Sequence, residues 1–455
     1  MPRKEVPVGS AIDELEGVEL GDARLGARLK RIAAALEKNP AAGFPAAVKT
    51  IAEREAVYRL LGNERVQMKA LLSPHAAQTV VRAKALGERP VVAIDKTSFV
   101  FPGEADREGL DRLGKDRHGL DAFCALAVSQ ARQPLGVLAL EPLDKAQGRA
   151  GADEWDATVE AAAAHIEELR PIYVMDREAD AYALFASLIA KGRDVVVRVA
   201  ADRWVREYDG AALEMLRAIA ARAPVALTRQ VKLSRRSGVG KAPDARRRQP
   251  PRDGRDAELR IRTCSIVLPR PRKLKDSLPA SLSINLVQVT EENPPADAEP
   301  VEWLLFTTLP VGNAEEVATV IDTYRARWTI EEYFKALKSG CSYEKRQLES
   351  RHTLLNALGI LAPLAWRLLA LRSVGDDPST PASAVLEADE IHVLRKLSHD
   401  IKLGDTPTAS QALYAIALLG GHFPSNGRPG WKVIWTGFQK LRDQVDGYRL
   451  AREEM

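Results

Sequence analysis

Three short apolar runs, each closed by a charged residue, constrain this sequence more than any other feature. Val91-Val92-Ala93-Ile94 stops at Asp95, Pro171-Ile172-Tyr173-Val174-Met175 stops at Asp176, and Val195-Val196-Val197 stops at Arg198. Helical patterns over 154–169 and Ala179–Lys191 separate them. Strands alternating with helices indicate an α/β sheet with parallel members. In such sheets ligands bind beyond the carboxyl ends of the strands, so Asp95 and Asp176 are candidate site residues. Further strand-like stretches, FCALAVS and LGVLALE, fall within 122–141.

The flanks read differently. Residues 18–70 are helical by pattern: Asp22 can cap a run in which Leu25, Leu29, Ile32, Ala33 and Leu36 recur every three or four residues. Arg24, Arg28, Lys30 and Arg31 lie largely on the other side. A second helix is expected over Ala46–Leu61. Such a face is either a solvated surface or the basic side of a DNA-binding module. From 205 to 310 four strand patterns (Val225–Val231, Leu259–Val267, Ser283–Thr290 and Glu302–Thr307) suggest a β-rich insertion. Helices return at 313–340, at 351–373 and towards the C-terminus.

The formal charge of +4 over 455 residues conceals an uneven distribution. Residues 231–275 hold fifteen basic and four acidic side chains, a balance of +11 against −7 for the remainder. Charge runs are commonly solvated loops, but one this dense is also the footprint of a phosphate-backbone binder. Cys124, Cys264 and Cys341 are far apart, which excludes a disulfide framework and a conventional structural zinc site and fits a reducing compartment. The N-terminal MPRKEVPVGS has no apolar stretch behind its basic residues, unlike a signal peptide. The most apolar stretch, Leu354–Leu371, contains Pro363 and Arg367, which argues against a membrane span. The expectation is a cytoplasmic protein.

The segment 321–340 is helical by composition. Tyr324, Arg327, Glu331, Lys335 and Lys338 are spaced to share one stripe, opposite Trp328, Phe334 and Leu337. This is either a surface helix with Glu–Lys pairs or a metal ligand ringed by phosphate-binding donors. Two strand-end aspartates and a helical glutamate form an oxygen-only donor set that selects hard ions such as Mg²⁺ or Mn²⁺. Two such ions could activate a water or 3′-hydroxyl and stabilise the leaving oxygen of a phosphoryl displacement.

With these residues in hand, the chain resembles the bacterial cut-and-paste transposases of the insertion-sequence-four group. Tyr324, Arg327, Glu331 and Lys338 match the family's Y-R-E-K spacing, and LGDAR at 20–24, AIDKTS at 93–98, DREAD at 176–180 and EWLLFTT at 302–308 follow in order. ALYAIALLGG at 412–421 and VDGY at 445–448 extend the similarity to nearly the whole chain. The resemblance implies an RNase H-like α/β catalytic core with a β-rich insertion, flanked by helical N-terminal and C-terminal domains. It divides the chain into an end-recognition domain at 1–72, a catalytic domain at 73–373 with its insertion at about 205–310, and a dimerisation domain at 374–455.

The resemblance also implies that Asp95, Asp176 and Glu331 bind two Mg²⁺ ions, with Mn²⁺ able to substitute. Tyr324, Arg327, Lys338 and Arg198 then contact DNA phosphates, with Lys335 a further candidate DNA contact from its place on the polar stripe, and Arg24 and Arg28 lie in the end-recognition domain. Trp303 corresponds to an aromatic that stacks with or displaces a base when a terminal hairpin forms; a core tryptophan in a strand is the alternative reading. Lys96 departs from the family, which carries a small hydroxyl residue after the first aspartate. The implied function is excision of an element through a hairpin intermediate and joining of its 3′-ends to target DNA. Double-stranded DNA and a second copy of the chain are the implied partners, with no membrane and no nucleotide cofactor. The alternatives are a metal-dependent nuclease without strand transfer and a non-catalytic DNA-binding relative.

Overall fold

The structure, a computed structural model, describes residues 9–48, 50–102, 107–114, 117–143, 151–233, 251, 253–274, 276–296, 298–374, 379–427 and 429–453. Of the basic cluster, Arg235, Arg236, Lys241, Arg246, Arg247, Arg248, Arg252 and Lys275 lie outside the described residues. The chain is a mixed α/β protein with helical N- and C-terminal regions. It divides into two compact units: Met1–Gly148, Glu160–Leu169 and Trp328–Met455 form the first, Arg149–Val159 and Arg170–Arg327 the second.

The first unit opens with the helix Ala23–Lys38. Asp22 caps it, accepting the Arg24 amide at 2.9 Å, and Leu29, Ile32, Ala33 and Leu36 are buried as their spacing requires. The helix expected over Ala46–Leu61 is two pieces, Phe44–Ala47 and Ile51–Leu61. A capping box between Thr50 and Glu53 restarts the chain after extended Val48. Met68–Leu86 follows and ends at left-handed Gly87.

Strand β1 spans Val91–Phe101, β2 Asp111–Gly114, β3 Arg117–Val128 and β4 Pro134–Pro142. β1 pairs antiparallel with β3 from Val91↔Val128 to Phe101↔His118, and β4 and β2 also pair with β3. The placement of Asp95 at a strand end is therefore corrected. β1 continues six residues past it, because Thr97, Phe99 and Phe101 alternate inward and keep the ladder profitable to extend.

Helix Trp328–Lys335 packs on β1, and Met68–Leu86 packs on β4. Arg351–Val374 is long and apolar enough to cross a membrane by length and composition. However, 83% of its most apolar window is buried within the protein, as in the core helix of a globular domain. Its Trp366 is fully buried and donates its indole N–H to the Pro134 carbonyl at 3.1 Å. The C-terminal helices Ala388–Leu397, Ala409–Leu419 and Trp431–Glu453 close around Leu394, Ile416, Trp435, Phe438 and Leu441. Ala409–Leu419 and Trp431–Glu453 meet backbone to backbone. A Cβ on Gly437 would stand 1.7 Å from the Ile416 carbonyl oxygen, and one on Gly420 would stand 1.8 Å from that of Val433.

In the second unit, β5 (Ile172–Met175) and β6 (Asp194–Arg198) are parallel and are joined through helix Tyr182–Ala190, the expected βαβ arrangement. After the short pair β7 (Trp204–Val205) and β8 (Glu214–Met215) come β9 (Val225–Leu233), β10 (Arg255–Pro269), β11 (Ser281–Glu292) and β12 (Glu302–Thr307). All four strands expected in the insertion are present, and they extend the same sheet. β12 pairs antiparallel with β6, and β11, β10 and β9 follow in turn. Helix Ala314–Ala326 packs on β5, β6 and β9.

The single helix expected across 321–340 is also corrected. Ala314–Ala326 ends at Arg327, Trp328–Lys335 is a separate helix, and Ala336–Gly340 is a π turn closed by the Cys341 amide on the Ala336 carbonyl at 2.8 Å. Trp328, expected on the apolar stripe with Phe334 and Leu337, is 51% exposed, while the other two are buried. An unbroken period of 3.6 residues per turn already sets Trp328 beside Lys335, whose Nζ lies 6.0 Å from its ring centroid, and not on the stripe of Phe334 and Leu337. The expectation for Trp328 is thus corrected by helix geometry itself.

Candidate active site

The first unit brings Asp95, Glu331 and Lys338 onto neighbouring elements. Asp95 is half-buried in β1 and its Oδ1 accepts the Lys96 amide at 2.8 Å. It stands directly across the ladder from Cys124, whose thiol is pushed up by burial and by the Asp95 charge. Glu331 is half-buried in the first turn of Trp328–Lys335, the helix that lies against β1.

Lys338, in the π turn, reaches back to the same strand and donates from Nζ to the Ser98 carbonyl at 2.8 Å. Burial lowers the pKa of its ammonium, opposed by the charges of Glu344, Glu331 and Asp121 and reinforced by Arg117. Glu344 ties the next turn to β1 by accepting the Val100 amide at 3.0 Å. π turns are rare and frequent at functional sites, and this one carries Lys338.

Two acids here were missed by the sequence reading. Asp121 is 9% exposed inside the otherwise apolar β3, where it accepts from Ser98 Oγ at 2.5 Å and pairs with Lys96 Nζ at 3.4 Å. A charged residue interrupting LDAFCALAV was the available signal. Glu344 had none, since its role depends on the fold of the π turn. Lys96, the departure from the family pattern, is occupied by Asp121. Lys335 is exposed and pairs with Glu332 at 2.7 Å.

The second unit holds the other expected residues. Asp176 follows β5 directly, is half-buried, and caps the short turn Arg177–Ala179 by accepting the Glu178 amide at 2.8 Å. In the same DREAD stretch, Asp180 accepts the Ala200 amide at 2.6 Å and also pairs with Arg203; burial raises its pKa above the usual carboxylate value. Arg198 ends β6, and its Nη2 donates to the Glu302 carbonyl at 3.3 Å, one residue from Trp303. Trp303 is half-buried with its ring edge-on to that of Tyr324. Arg327 is 8% exposed, its guanidinium 6.0 Å from the Tyr324 ring centroid. In the N-terminal region Arg24 is exposed and paired with Asp22 at 2.9 Å, and Arg28 is half-buried.

Among the described residues no three His, Cys, Asp or Glu side chains gather into a metal-binding group. Asp95 and Glu331 belong to the first unit and Asp176 to the second. All three are half-buried carboxylates, the hard oxygen donors that a divalent cation of the Mg²⁺ type requires, so the donor chemistry fits.

A strand-borne aspartate, a helical glutamate and an anchored lysine thus stand on neighbouring elements of the first unit. Residues 86–366 match the transposase DDE domain family, and residues 9–66 match the transposase DNA-binding family. The chain belongs to the DDE transposases, whose domains work with divalent metal ions and are consistent with an RNase H-like core. It also aligns over 99% of its length with 76% of a piggyBac transposase solved in a synaptic complex with hairpin DNA, at 11% identity and a TM-score of 0.35.

Proposed function

We propose that the chain is a cut-and-paste DNA transposase of the insertion-sequence-four group. In this reading residues 1–72 bind transposon ends, 73–373 cut and join, and 374–455 pair with a second copy. Asp95, Asp176 and Glu331 would hold two Mg²⁺ ions, which supply Lewis-acid stabilisation and an activated nucleophile when bound. The observation that supports the reading is the anchoring of Lys338 on β1, the strand of Asp95, beside the helix of Glu331, which sets a cation near two of the three carboxylates.

The remaining roles follow from the side chains. Lys338, Lys335, Arg327, Tyr324 and Arg198 hold phosphate oxygens and keep nucleophile and leaving group in line. Water first displaces the flanking strand and frees a 3′-hydroxyl. That oxygen then attacks the opposite strand, forming one P–O bond as another breaks, and closes a hairpin. A second water opens the hairpin, and the 3′-ends attack target DNA. Trp303 holds the base that leaves the stack at the hairpin turn. Arg24 and Arg28 contact the end sequence.

The test is Asp176→Ala and Glu331→Ala. Each is expected to abolish Mg²⁺-dependent cleavage of a duplex carrying the inverted repeat that flanks the coding sequence, while a gel shift on that duplex persists. Retained cleavage would sink the triad. Cleavage by the wild type without joined products on a target plasmid would leave a nuclease in place of a transposase.

A further inference from the structure

The C-terminal end of helix Ala23–Lys38 is held by arginines from far along the chain. Arg442 Nη1 donates to the carbonyls of Glu37 and Lys38 at 2.6 and 2.5 Å, and Arg367 pairs with the Glu37 carboxylate at 2.9 Å. Arg442 thereby satisfies a helix end whose last carbonyls lack partners within the helix. Arg346 takes the turn that follows. It donates from Nη1 to the Ala42 carbonyl and from Nη2 to the Pro40 carbonyl at 2.7 Å, with its guanidinium 5.0 Å from the centroid of the Phe44 ring. The partners of these arginines, Glu37, Lys38, Pro40, Ala42 and Phe44, all lie within the DNA-binding match at 9–66.

The same Nη2 donates to the carbonyl of Cys341 at 2.6 Å. Cys341 closes the π turn that carries Lys338, and it is followed by Ser342 in the left-handed region at φ +48°, so the chain turns sharply there. One side chain therefore grips both the DNA-binding segment and the lysine-bearing turn. Arg346 is 2% exposed, and among the described residues only carbonyl oxygens accept from it; its Nε has no partner. Burying a guanidinium without a carboxylate is costly, and an apolar side chain would fill the space more cheaply. What the guanidinium provides instead is a rigid planar fork that fixes three carbonyls relative to one another.

We propose that Arg346 is a positioning residue that couples DNA occupancy of the N-terminal segment to the placement of Lys338. The inference rests on the transposase reading above. DNA engaging the helix of Arg24 and Arg28 moves that helix by small amounts. The fork passes a shift of Pro40 and Ala42 to Cys341, and the π turn passes it to the Lys338 ammonium, which is anchored at Ser98. Rates of in-line displacement depend steeply on such placement.

The experiment compares wild type, Arg346→Gln and Arg346→Lys in single-turnover cleavage of the duplex carrying the flanking inverted repeat. Arg346→Gln is expected to keep its half-saturating DNA concentration within about twofold while the maximal rate falls about ten- to a hundredfold, and Arg346→Lys to fall between them. Hydrogen exchange supplies a readout that a merely structural role would not move. Adding the duplex should slow amide exchange across 339–343 in wild type but not in Arg346→Gln. Should Arg346→Gln fail to fold, Phe44→Leu removes the ring beneath the guanidinium while leaving its hydrogen bonds, and a smaller rate loss at unchanged affinity is expected. Wild-type cleavage rates in all variants, or affinity and rate falling by the same factor, would overturn the coupling alone. A wild type that does not cut the duplex would overturn the transposase reading, and the coupling with it.

Discussion

The rings of Trp303 and Tyr324 stand edge to face, centroids 5.3 Å apart with their planes at 63°. The tyrosine is buried and the tryptophan half-buried, so Trp303 is braced on one side and partly open on the other. On the hairpin pathway proposed above, Trp303→Ala is expected to leave first-strand nicking intact. Because stacking contributes about 1–3 kcal/mol per base, hairpin yield should fall about tenfold. Trp303→Phe keeps the edge contact and should recover most of the hairpin. An unchanged yield in Trp303→Ala, measured on denaturing gels, would argue for a purely structural tryptophan.

Acid should weaken the fold through His75. The Val137 amide donates to its Nε2 at 3.0 Å, so the ring is neutral and donates from Nδ1 to Glu14 at 2.5 Å, with Arg82 completing the buried cluster at 2.7 Å. Burial holds the imidazole below its ordinary value of 6.5. The unfolded chain takes up a proton below that pH that the folded ring refuses. This contribution is therefore complete above the ordinary value and is lost as pH falls below it, by at most about 1.4 kcal/mol per pH unit. Glu14, whose net shift is downward because His75 and Arg82 outweigh its burial, adds a second loss below the ordinary carboxyl range. In thermal melts His75→Gln should remove the first limb. A wild-type melting temperature that does not change from neutral pH down to about 5 would contradict the neutral ring.

Arg372 links helix Trp328–Lys335 to the C-terminal helices, pairing with Glu332 at 3.0 Å while its guanidinium lies 4.6 Å from the Trp431 ring centroid. Its side chain is 13% exposed and that of Glu332 26%, so the pair is only partly screened. Arg372→Ala should cost about 2–3 kcal/mol in denaturant unfolding. A loss below about 0.5 kcal/mol would mean that the pair behaves as an ordinary surface bridge.

Gly437→Ala places a methyl group against the Ile416 carbonyl, where no flexible side chain can yield. The helices must separate, at an expected cost of about 3 kcal/mol or more. Limited proteolysis should then cut between 398 and 430 before the rest of the chain. Resistance equal to wild type would show that the crossing can relax.

Local pattern was legible where one side chain decided the outcome. Asp22 had to cap a helix, the runs at 91–94, 172–175 and 195–197 had to be strands, and Asp176 had to follow one. The length of β1 was legible in part, since Thr97, Phe99 and Phe101 alternate, but the charge at Asp95 disguised the continuation. The π turn was not legible. Its side chain Lys338 and, in the turn that follows, Glu344 meet β1, and no short window of sequence contains that strand. Trp328 was legible but misplaced, since a helical period sets it beside Lys335 and away from Leu337. The partners of Arg346 were hidden more deeply, because backbone carbonyls look alike in every residue.

That clamp bears on how such a protein can be re-engineered. A chimera that exchanges residues 9–66 to redirect end specificity would respect the boundary of the DNA-binding match yet cut through a packed unit. The incoming segment must present carbonyls where Glu37, Lys38, Pro40 and Ala42 present theirs, with an aromatic ring at the place of Phe44. A donor domain chosen only for its DNA contacts would strand three guanidiniums in the host. The transplant is then better judged by the loop it docks with than by the sequence it reads.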